Sequence, residues 1–244
     1  MRTQTLVLKT HVSPTRLNRI RDRLLSYLSW IEGFNVLLAK RVIDLTLCLL
    51  LIAPALLVMA VIAFILYLDS SRPILFAQDR AGRGGRKFRI YKFRTLKREY
   101  CDLTDRECMK AYVRGLDIRE PGSNEKQIHK PFDPTQVTRV GRFLRRTSLD
   151  ELPQLWNVLR GEMSLVGPRP NVIWEVEAYS WWHTERLEAL PGITGLAQVR
   201  GRSGIPFDQI ARYDIEYVRK ISLKLDLQIM WWTVASILKG TGAG

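Results

Sequence analysis

Hydrophobic and polar positions divide the chain into one long apolar segment and a longer region of short apolar patterns among charged stretches. The apolar segment, residues 45–68, contains no charged side chain. As a helix it would reach about 36 Å, against a hydrocarbon core of about 30 Å, so it predicts a membrane helix. Pro54 lies near its middle, where it removes an intrahelical hydrogen bond and favours a break.

Both flanks of this segment are basic. Short basic flanks favour the cytoplasmic side of a membrane, so a simple span would put one flank on the wrong side. A helix that enters the membrane and returns avoids this conflict, and a kinked span is the alternative. Residues 16–37 have an amphipathic pattern, typical of a helix lying on an anionic lipid surface or packed on the protein's own domain.

Beyond the apolar segment, two short runs rich in β-branched and aromatic residues, 74–76 and 88–93, are separated by glycines and predict a β-hairpin. Residues 97–137 are polar and are interpreted as an insertion made of a helix and a loop. The fold class is therefore α+β, with a small hairpin and a mainly helical catalytic domain. The expected regions are a basic N-terminal segment, a membrane helix and this domain: 1–39, 40–69 and 70–244.

A further helix is predicted after residue 150. Apolar side chains follow at helical spacing: Leu152, Leu155, Trp156 and Leu159. Pro153 suits a first turn because it has no backbone N–H to donate, so the helix should begin close to Asp150 and Glu151. The helix macrodipole and the nearby Arg145 and Arg146 should depress the pKa of these carboxyls. An ionised aspartate in this setting suits metal binding or attack on phosphorus. The alternative is a capping box between Ser148 and Glu151, without catalysis.

Composition narrows the possible partners. The chain has 244 residues, a formal net charge of +14 and a pI near 10.0. Such a charge implies an anionic partner: nucleic acid, acidic lipid or a phosphorylated substrate. The three cysteines and three histidines have no zinc-ligand spacing, and no Ser-His-Asp arrangement is recognisable, which leaves carboxylate chemistry.

Four segments together resemble the bacterial sugar transferase family, the monotopic phosphoglycosyl transferases. They read KRVID at 40–44, YKFRTL at 91–96, RRTSLDELPQLWNVLRGEMSLVGPRP at 145–170 and PGITGLAQVRGR at 191–202. The resemblance covers most of the chain and implies a re-entrant membrane helix broken at Pro54. The family usually has serine before this proline, whereas this chain has Ala53, so the angle of the break is not implied.

The resemblance also implies a reaction. A sugar 1-phosphate passes from a nucleoside diphosphate sugar, here expected to be a UDP-sugar, to undecaprenyl phosphate, which begins a cell-surface glycan. Asp150 would be the nucleophile and would share Mg²⁺ with Glu151. Three arginines would bind the substrate phosphates: Arg94, Arg145 and Arg169.

Four further residues are implied to shape a nucleotide pocket: Pro168, Pro170, Gly195 and Gln198. Gly192 lies in the same segment. The expected location is the cytoplasmic face of the bacterial inner membrane, with anionic lipids as partners. Nucleic acid is not expected, since no helix-turn-helix, zinc-finger or RRM signature appears. Two alternatives are a scaffold without catalysis and a membrane-anchored nucleic-acid-binding protein. The sequence leaves the oligomeric state open, a homodimer included.

Overall fold

One long helix forms the N-terminal part of the described chain. The computed structural model describes residues 14–69, 73–97, 103–116, 136–201 and 205–239. In it, α1 runs through 55 residues, Pro14–Leu68, and continues through Pro54, so the expected break does not interrupt the helix. Within the described ranges, Asn35–Leu68 is long and apolar enough to cross a membrane. The sequence predicts that residues 16–37 contact lipid or the protein's own domain. Most of these side chains lie outside the described ones, so this contact stays a prediction.

The apolar part of α1 has two different faces. One face packs against the rest of the protein at alternating spacings of four and three residues: Cys48, Ile52, Ala55, Met59, Ile62 and Leu66. The opposite face leaves large side chains uncovered, with Leu50 69% and Leu57 71% exposed. A continuous apolar surface of this kind is costly in water, and it is compatible with membrane anchoring.

The predicted β-hairpin is confirmed. Strands β1 (Leu75–Ala81) and β2 (Lys87–Phe93) pair antiparallel, from Leu75 opposite Phe93 to Ala81 opposite Lys87. A 3-10 turn, Arg83–Gly85, joins them, with Gly84 and Gly85 at φ of 65° and 75°. The hairpin is longer than its apolar runs, because polar residues after Phe76 continue the ladder.

The remaining elements are mostly helical. They are α2 (Leu103–Val113), α3 (Arg139–Thr147), α4 (Leu155–Leu159), β3 (Ser164–Val166), α5 (Ile173–Val176), β4 (Gly192–Thr194), α6 (Leu196–Gly201), α7 (Phe207–Arg219) and α8 (Leu223–Leu238). Two more 3-10 segments, Leu149–Gln154 and Trp181–Glu188, precede α4 and β4. The short strands β3 and β4 are parallel, with Ser164 opposite Gly192. Helix α2 confirms a helix within 97–137, and 98–102 and 117–135 lie outside the described residues.

The architecture mixes helix and strand and is mainly helical, as predicted. The packed face of α1 lies against the hairpin, with Phe88, Ile90 and Phe93 inside the core. Helices α3 and α4 pack on the same two clusters through Leu144 and Val158. As a result, the segment between α3 and α4 is held beside β2, and this segment contains Asp150 and Glu151.

Candidate active site

A sharp backbone turn presents the carboxylate pair. Helix α3 ends at Thr147, and Ser148 follows in the left-handed conformation with φ 57° and ψ 17°. Ser148 is the one described non-glycine residue with positive φ, a conformation that concentrates at functional sites. Asp150 and Glu151 then lie in the first turn of the 3-10 segment, with the buried Pro153 inside it. The helical start near Asp150 is thus confirmed, although its first turns are 3-10 rather than α.

The alternative capping box at this turn is wrong. The Ser148 side chain makes no capping hydrogen bond. The Glu151 side chain contacts Lys92 of β2 instead, with 2.5 Å between Nζ and Oε1. Arg169 Nη1 lies 3.5 Å from the same oxygen. Burial alone would raise the pKa of Glu151, but Lys92 and Arg169 outweigh it and lower the pKa, so this carboxylate stays ionised.

Asp150 has the opposite environment. Burial, followed by the negative charge of Glu151, raises the pKa of Asp150 to about 6, against the opposing effects of Lys92, Arg145 and Arg169. The expectation of a depressed pKa is therefore wrong for Asp150, although the pKa of Glu151 is lowered. The cationic neighbours are present, but desolvation and the adjacent carboxylate have the larger effect. At pH 7 most Asp150 carboxyls remain ionised, and each is more basic than an ordinary aspartate.

Two of the three predicted arginines lie close enough to act on Asp150. The charges of Arg145 and Arg169 both influence its pKa. Arg145 is fixed by a 2.9 Å hydrogen bond from Nε to Thr95 Oγ1 at the end of the hairpin. Arg94 is different: among the described residues, no hydrogen bond or ion pair joins it to either carboxylate, and its buried Nε lacks a hydrogen-bond partner.

Backbone hydrogen bonds fix the loop that contains Arg169 to strand β4. The Gly167 N–H donates to Thr194 O at 2.8 Å, and the Gly192 N–H donates to Pro168 O at 2.9 Å. A Cβ on Gly192 would come within 2.1 Å of the Gly167 nitrogen, so this approach requires glycine. The loop is consequently fixed to β4 by main-chain geometry.

Side chains complete the support. Arg186 is buried, and its Nη2 donates to the carbonyl oxygen of Arg169 at 3.1 Å and also to Asp214. Arg80 Nη1 donates to the carbonyl oxygen of Pro170 at 3.1 Å. These contacts leave the Arg169 side chain 42% exposed on an anchored backbone.

A small cleft opens between the hairpin and this loop. It is lined by Arg80, Ile90, Lys92, Glu151, Gln154, Arg169, Pro170, Gly192 and Ile193. Of the four residues predicted to shape a nucleotide pocket, Pro170 lines this cleft, and so does Gly192 from the same segment as Gly195. Pro168, Gly195 and Gln198 are absent from the lining: a Cβ on Gly195 would meet Gly167 O at 2.2 Å, and Gln198 Nε2 donates to Ile193 O at 3.1 Å. Gly195 and Pro168 instead contact the loop that contains Arg169 or its neighbouring backbone.

Lys92 is the main residue that sequence reasoning missed. It follows Phe88 and Ile90 at strand spacing, on a face where both neighbours are buried. A lysine on such a face needs an anionic partner, which was the available signal. Burial, followed by the charge of Arg169, lowers the pKa of Lys92 despite Glu151. Arg80 and Arg186 were also missed, and only the folded arrangement reveals their contacts with the Arg169 loop.

Magnesium is the cofactor that the family resemblance implies. Within the described ranges, no group of three or more His, Cys, Asp or Glu side chains could hold a metal ion. Mg²⁺ needs only one or two carboxylates when substrate phosphates and water complete its shell. No described hydrogen bond occupies the Asp150 carboxylate, so Asp150 fits as a ligand. Glu151 fits less well, because Lys92 already occupies one of its oxygens.

Comparison with known proteins gives consistent matches. Residues 35–240 match the family model described as bacterial sugar transferase. A UDP-glucose:undecaprenyl-phosphate glucose-1-phosphate transferase of Caulobacter vibrioides is 42% identical over 209 residues, which cover 82% of this chain and 70% of that protein. A UDP-galactose-lipid carrier transferase of Erwinia amylovora is 39% identical over 204 residues. That match covers 84% of this chain and 41% of the relative.

A galactosyl transferase of Streptococcus agalactiae is 38% identical over 214 residues, covering 86% of this chain and 44% of that protein. This chain thus spans less than half the length of the Erwinia and Streptococcus relatives. The family match extends from α1 through Asp150 and Glu151 to α8. The chain belongs to the bacterial sugar transferase family.

Proposed function

We propose that this chain transfers a sugar 1-phosphate from a UDP-sugar to undecaprenyl phosphate and so initiates a cell-surface glycan. One observation carries the proposal: Asp150 is a half-buried, unusually basic carboxylate within the influence of Lys92, Arg145 and Arg169. A nucleophile for phosphorus needs basicity, and its anionic substrate needs fixed positive charge. The named activities of the Caulobacter and Erwinia relatives support the same reaction class.

In the first half-reaction, a carboxylate oxygen of Asp150 attacks the phosphorus bonded to the sugar. The bond from that phosphorus to the bridging oxygen breaks, and UMP leaves with the electron pair. The product is an aspartyl phosphosugar on the enzyme. Arg145 and Arg169 neutralise charge on the phosphoryl oxygens. Lys92 keeps Glu151 ionised and balances its negative charge through their ion pair.

In the second half-reaction, a phosphate oxygen of undecaprenyl phosphate attacks the same phosphorus. The bond to Asp150 breaks, the carboxylate recovers its electron pair, and undecaprenyl diphosphosugar forms. Asp150 is then ready for another donor. A leaving group with a pKa of about 6 departs more readily than an alcohol would, which favours this discharge.

Magnesium is part of the proposal as a cofactor. When bound, it would neutralise charge on the donor diphosphate. Asp150 would hold it, with a smaller contribution from Glu151. Lys92 limits that contribution because it competes for the Glu151 carboxylate.

The proposed location is the cytoplasmic face of the bacterial inner membrane, with both flanks of the apolar segment on that side. Contacts at the two ends of the segment support this placement. Lys40 and Arg41 at one end, and Ile62 and Leu66 at the other, all contact the same domain. A straight span would place one end across a core of about 30 Å, out of reach of a domain that stays on one face.

The test uses purified enzyme in vesicles with Mg²⁺, undecaprenyl phosphate and a panel of UDP-sugars. At least one donor should release UMP and give a diphosphosugar lipid. Asp150→Asn should abolish this turnover, and Arg169→Ala should reduce it by about 10². Arg160→Ala is the matched control, because Arg160 is an exposed arginine beyond α4. A scaffold without catalysis would release no UMP with any donor.

A further inference from the structure

Three charged side chains lie on one face of α1, just before its apolar part. Lys40 is 8% exposed and Asp44 is 4% exposed, and Arg41 is partly covered. We call these three residues the charged base of α1. Charged groups are rarely buried without partners, because removal from water disfavours the ionised form. Each of the three has a specific partner in the catalytic domain.

Lys40 binds α8 through Asp226, with 2.6 Å between Nζ and Oδ2. The second Asp226 oxygen accepts a hydrogen bond from Tyr217 at 2.8 Å. The Tyr217 hydroxyl also lies 3.1 Å from the carbonyl oxygen of Val166, the last residue of β3. Lys40 is therefore connected through α8 and α7 to the strand that leads into the Arg169 loop.

Arg41 binds the end of α4. Its Nη1 donates to Val158 O at 2.7 Å, and its Nη2 donates to Leu159 O at 3.2 Å. These carbonyls belong to the last turn of the helix, where a cation is favoured. Helix α4 follows directly on the 3-10 segment that contains Asp150.

Asp44 binds β3. Its Oδ2 accepts from Ser164 Oγ at 2.7 Å, and its Oδ1 accepts from the Leu165 N–H at 3.2 Å. Two residues beyond Leu165, Gly167 begins the loop that contains Arg169. The charged base thus contacts both elements that deliver groups to the active site: α4 for the nucleophile and β3 for the phosphate-binding arginine.

Such contacts constrain the helix more than apolar packing does. Apolar side chains tolerate small shifts along a neighbouring surface, whereas a guanidinium on two carbonyls or a carboxylate on two donors has one good geometry. The exposed apolar face of α1 sets the depth of the helix in a bilayer. The charged base fixes the domain to that helix, and so sets the height of Asp150 above the lipid.

We propose that Lys40, Arg41 and Asp44 are positioning residues that hold Asp150 at the depth of the acceptor phosphate. The inference rests on the proposed function, because it concerns the second half-reaction. The donor is soluble and reaches Asp150 at any height, so UMP release should depend less on the charged base. Transfer to a lipid phosphate confined to the headgroup layer should depend on it more.

The first readout is geometric and independent of catalysis. Spin labels on cysteines at the exposed positions Leu50 of α1 and Arg86 of the hairpin turn, on a background without native cysteines, report the distance between helix and domain in vesicles. The parent protein should give one narrow distance distribution. Arg41→Gln and Asp44→Asn should broaden it, and Arg41→Lys, which keeps the charge but loses the two-carbonyl contact, should broaden it less. Arg160→Gln is the control and should leave the distribution narrow.

The second readout separates the half-reactions. Without acceptor, UMP release by the Arg41→Gln and Asp44→Asn variants should fall much less than transfer does. With undecaprenyl phosphate in vesicles, transfer by the two variants should fall by about tenfold or more, since misplacement of about 1 Å is enough for a loss of that order. Narrow distributions in every variant, or equal losses in both half-reactions, overturn the inference. Absence of UMP release from the parent contradicts the proposed function instead, and leaves the distance distributions to decide whether the charged base holds the domain.

Discussion

At the scale of single residues, the central feature is Asp150, whose carboxylate is more basic than that of an ordinary aspartate. Its raised pKa is caused by burial and by Glu151, with Lys92, Arg145 and Arg169 acting in the opposite direction. The site therefore combines an unusually basic carboxylate with nearby cationic charge, as the proposed attack on a diphosphate requires. Each of these effects can be altered by one substitution.

The pH dependence of UMP release follows from this balance. In the proposed reaction only ionised Asp150 attacks phosphorus, so single-turnover release of UMP should fall as the pH drops through about 6. Glu151→Gln removes the neighbouring negative charge and frees Lys92, and both changes favour ionised Asp150. The acidic limb of that variant should move to lower pH, even if its rate is reduced. A limb that stays in place, or moves upward, would contradict the assigned cause.

Asp150 should also affect stability. Its folded pKa is raised above the ordinary value of an aspartate, so the fold favours the protonated form, and ionisation at pH 7 costs free energy. Asp150→Asn removes that cost and should stabilise the protein at pH 7 by about 1 to 3 kcal/mol, whereas the gain should vanish near pH 4. Thermal unfolding in detergent at the two pH values measures this. Destabilisation at pH 7 would show that the carboxylate has a structural role instead.

At the scale of elements, α3 divides its arginines between two tasks. Arg145 points inward to Thr95. Three other arginines lie exposed on one helical stripe together with Phe143: Arg139, Arg142 and Arg146. The opposite side of α3 packs through Leu144 in the same cluster as Leu66, near the end of the apolar part of α1, and the exposed stripe faces outward. This arrangement favours contact with anionic headgroups.

The stripe gives a prediction on lipid dependence. Activity of the unmodified enzyme should rise with the phosphatidylglycerol content of the vesicles, because each arginine near an anionic surface contributes about 1 kcal/mol. Replacing Arg139, Arg142 and Arg146 together by Gln should flatten that dependence. UMP release without acceptor should stay unchanged, since Arg145 is retained. An unaltered lipid dependence would show that these arginines face solvent and do not contact the lipid headgroups.

Sequence patterns predicted the elements well and their junctions poorly. The hairpin and a helical start at Asp150 followed from local periodicity and from Pro153. The left-handed backbone of Ser148 and the 3-10 turns after it could not be predicted, because a serine gives no local signal for either conformation. The partner of Glu151 was also beyond reach, since Lys92 is 59 residues away and only packing brings the two together.

At the scale of the whole molecule, the same domain contacts both ends of the apolar helix. The contacts favour a position in which both flanks of the apolar segment lie on the side of the domain. They do not show a helix that returns, because α1 continues through Pro54 without the expected break. Single cysteines at Thr10 and Ser236, on a background without native cysteines, should both resist labelling in intact cells until permeabilisation. Labelling of the Thr10 probe alone in intact cells would show a true span. Pro54→Ala should shift the topology towards a span if the proline directs the return.

The most direct test of the account is to trap the covalent intermediate. The enzyme is mixed with Mg²⁺ and a UDP-sugar that supports turnover, without acceptor, then quenched, digested and examined by mass spectrometry. The peptide that contains Asp150 should gain the mass of one sugar phosphate. The gain should be absent in Asp150→Asn and should disappear when undecaprenyl phosphate is added before the quench. Full turnover with no adduct, or an adduct on another residue, would contradict the account.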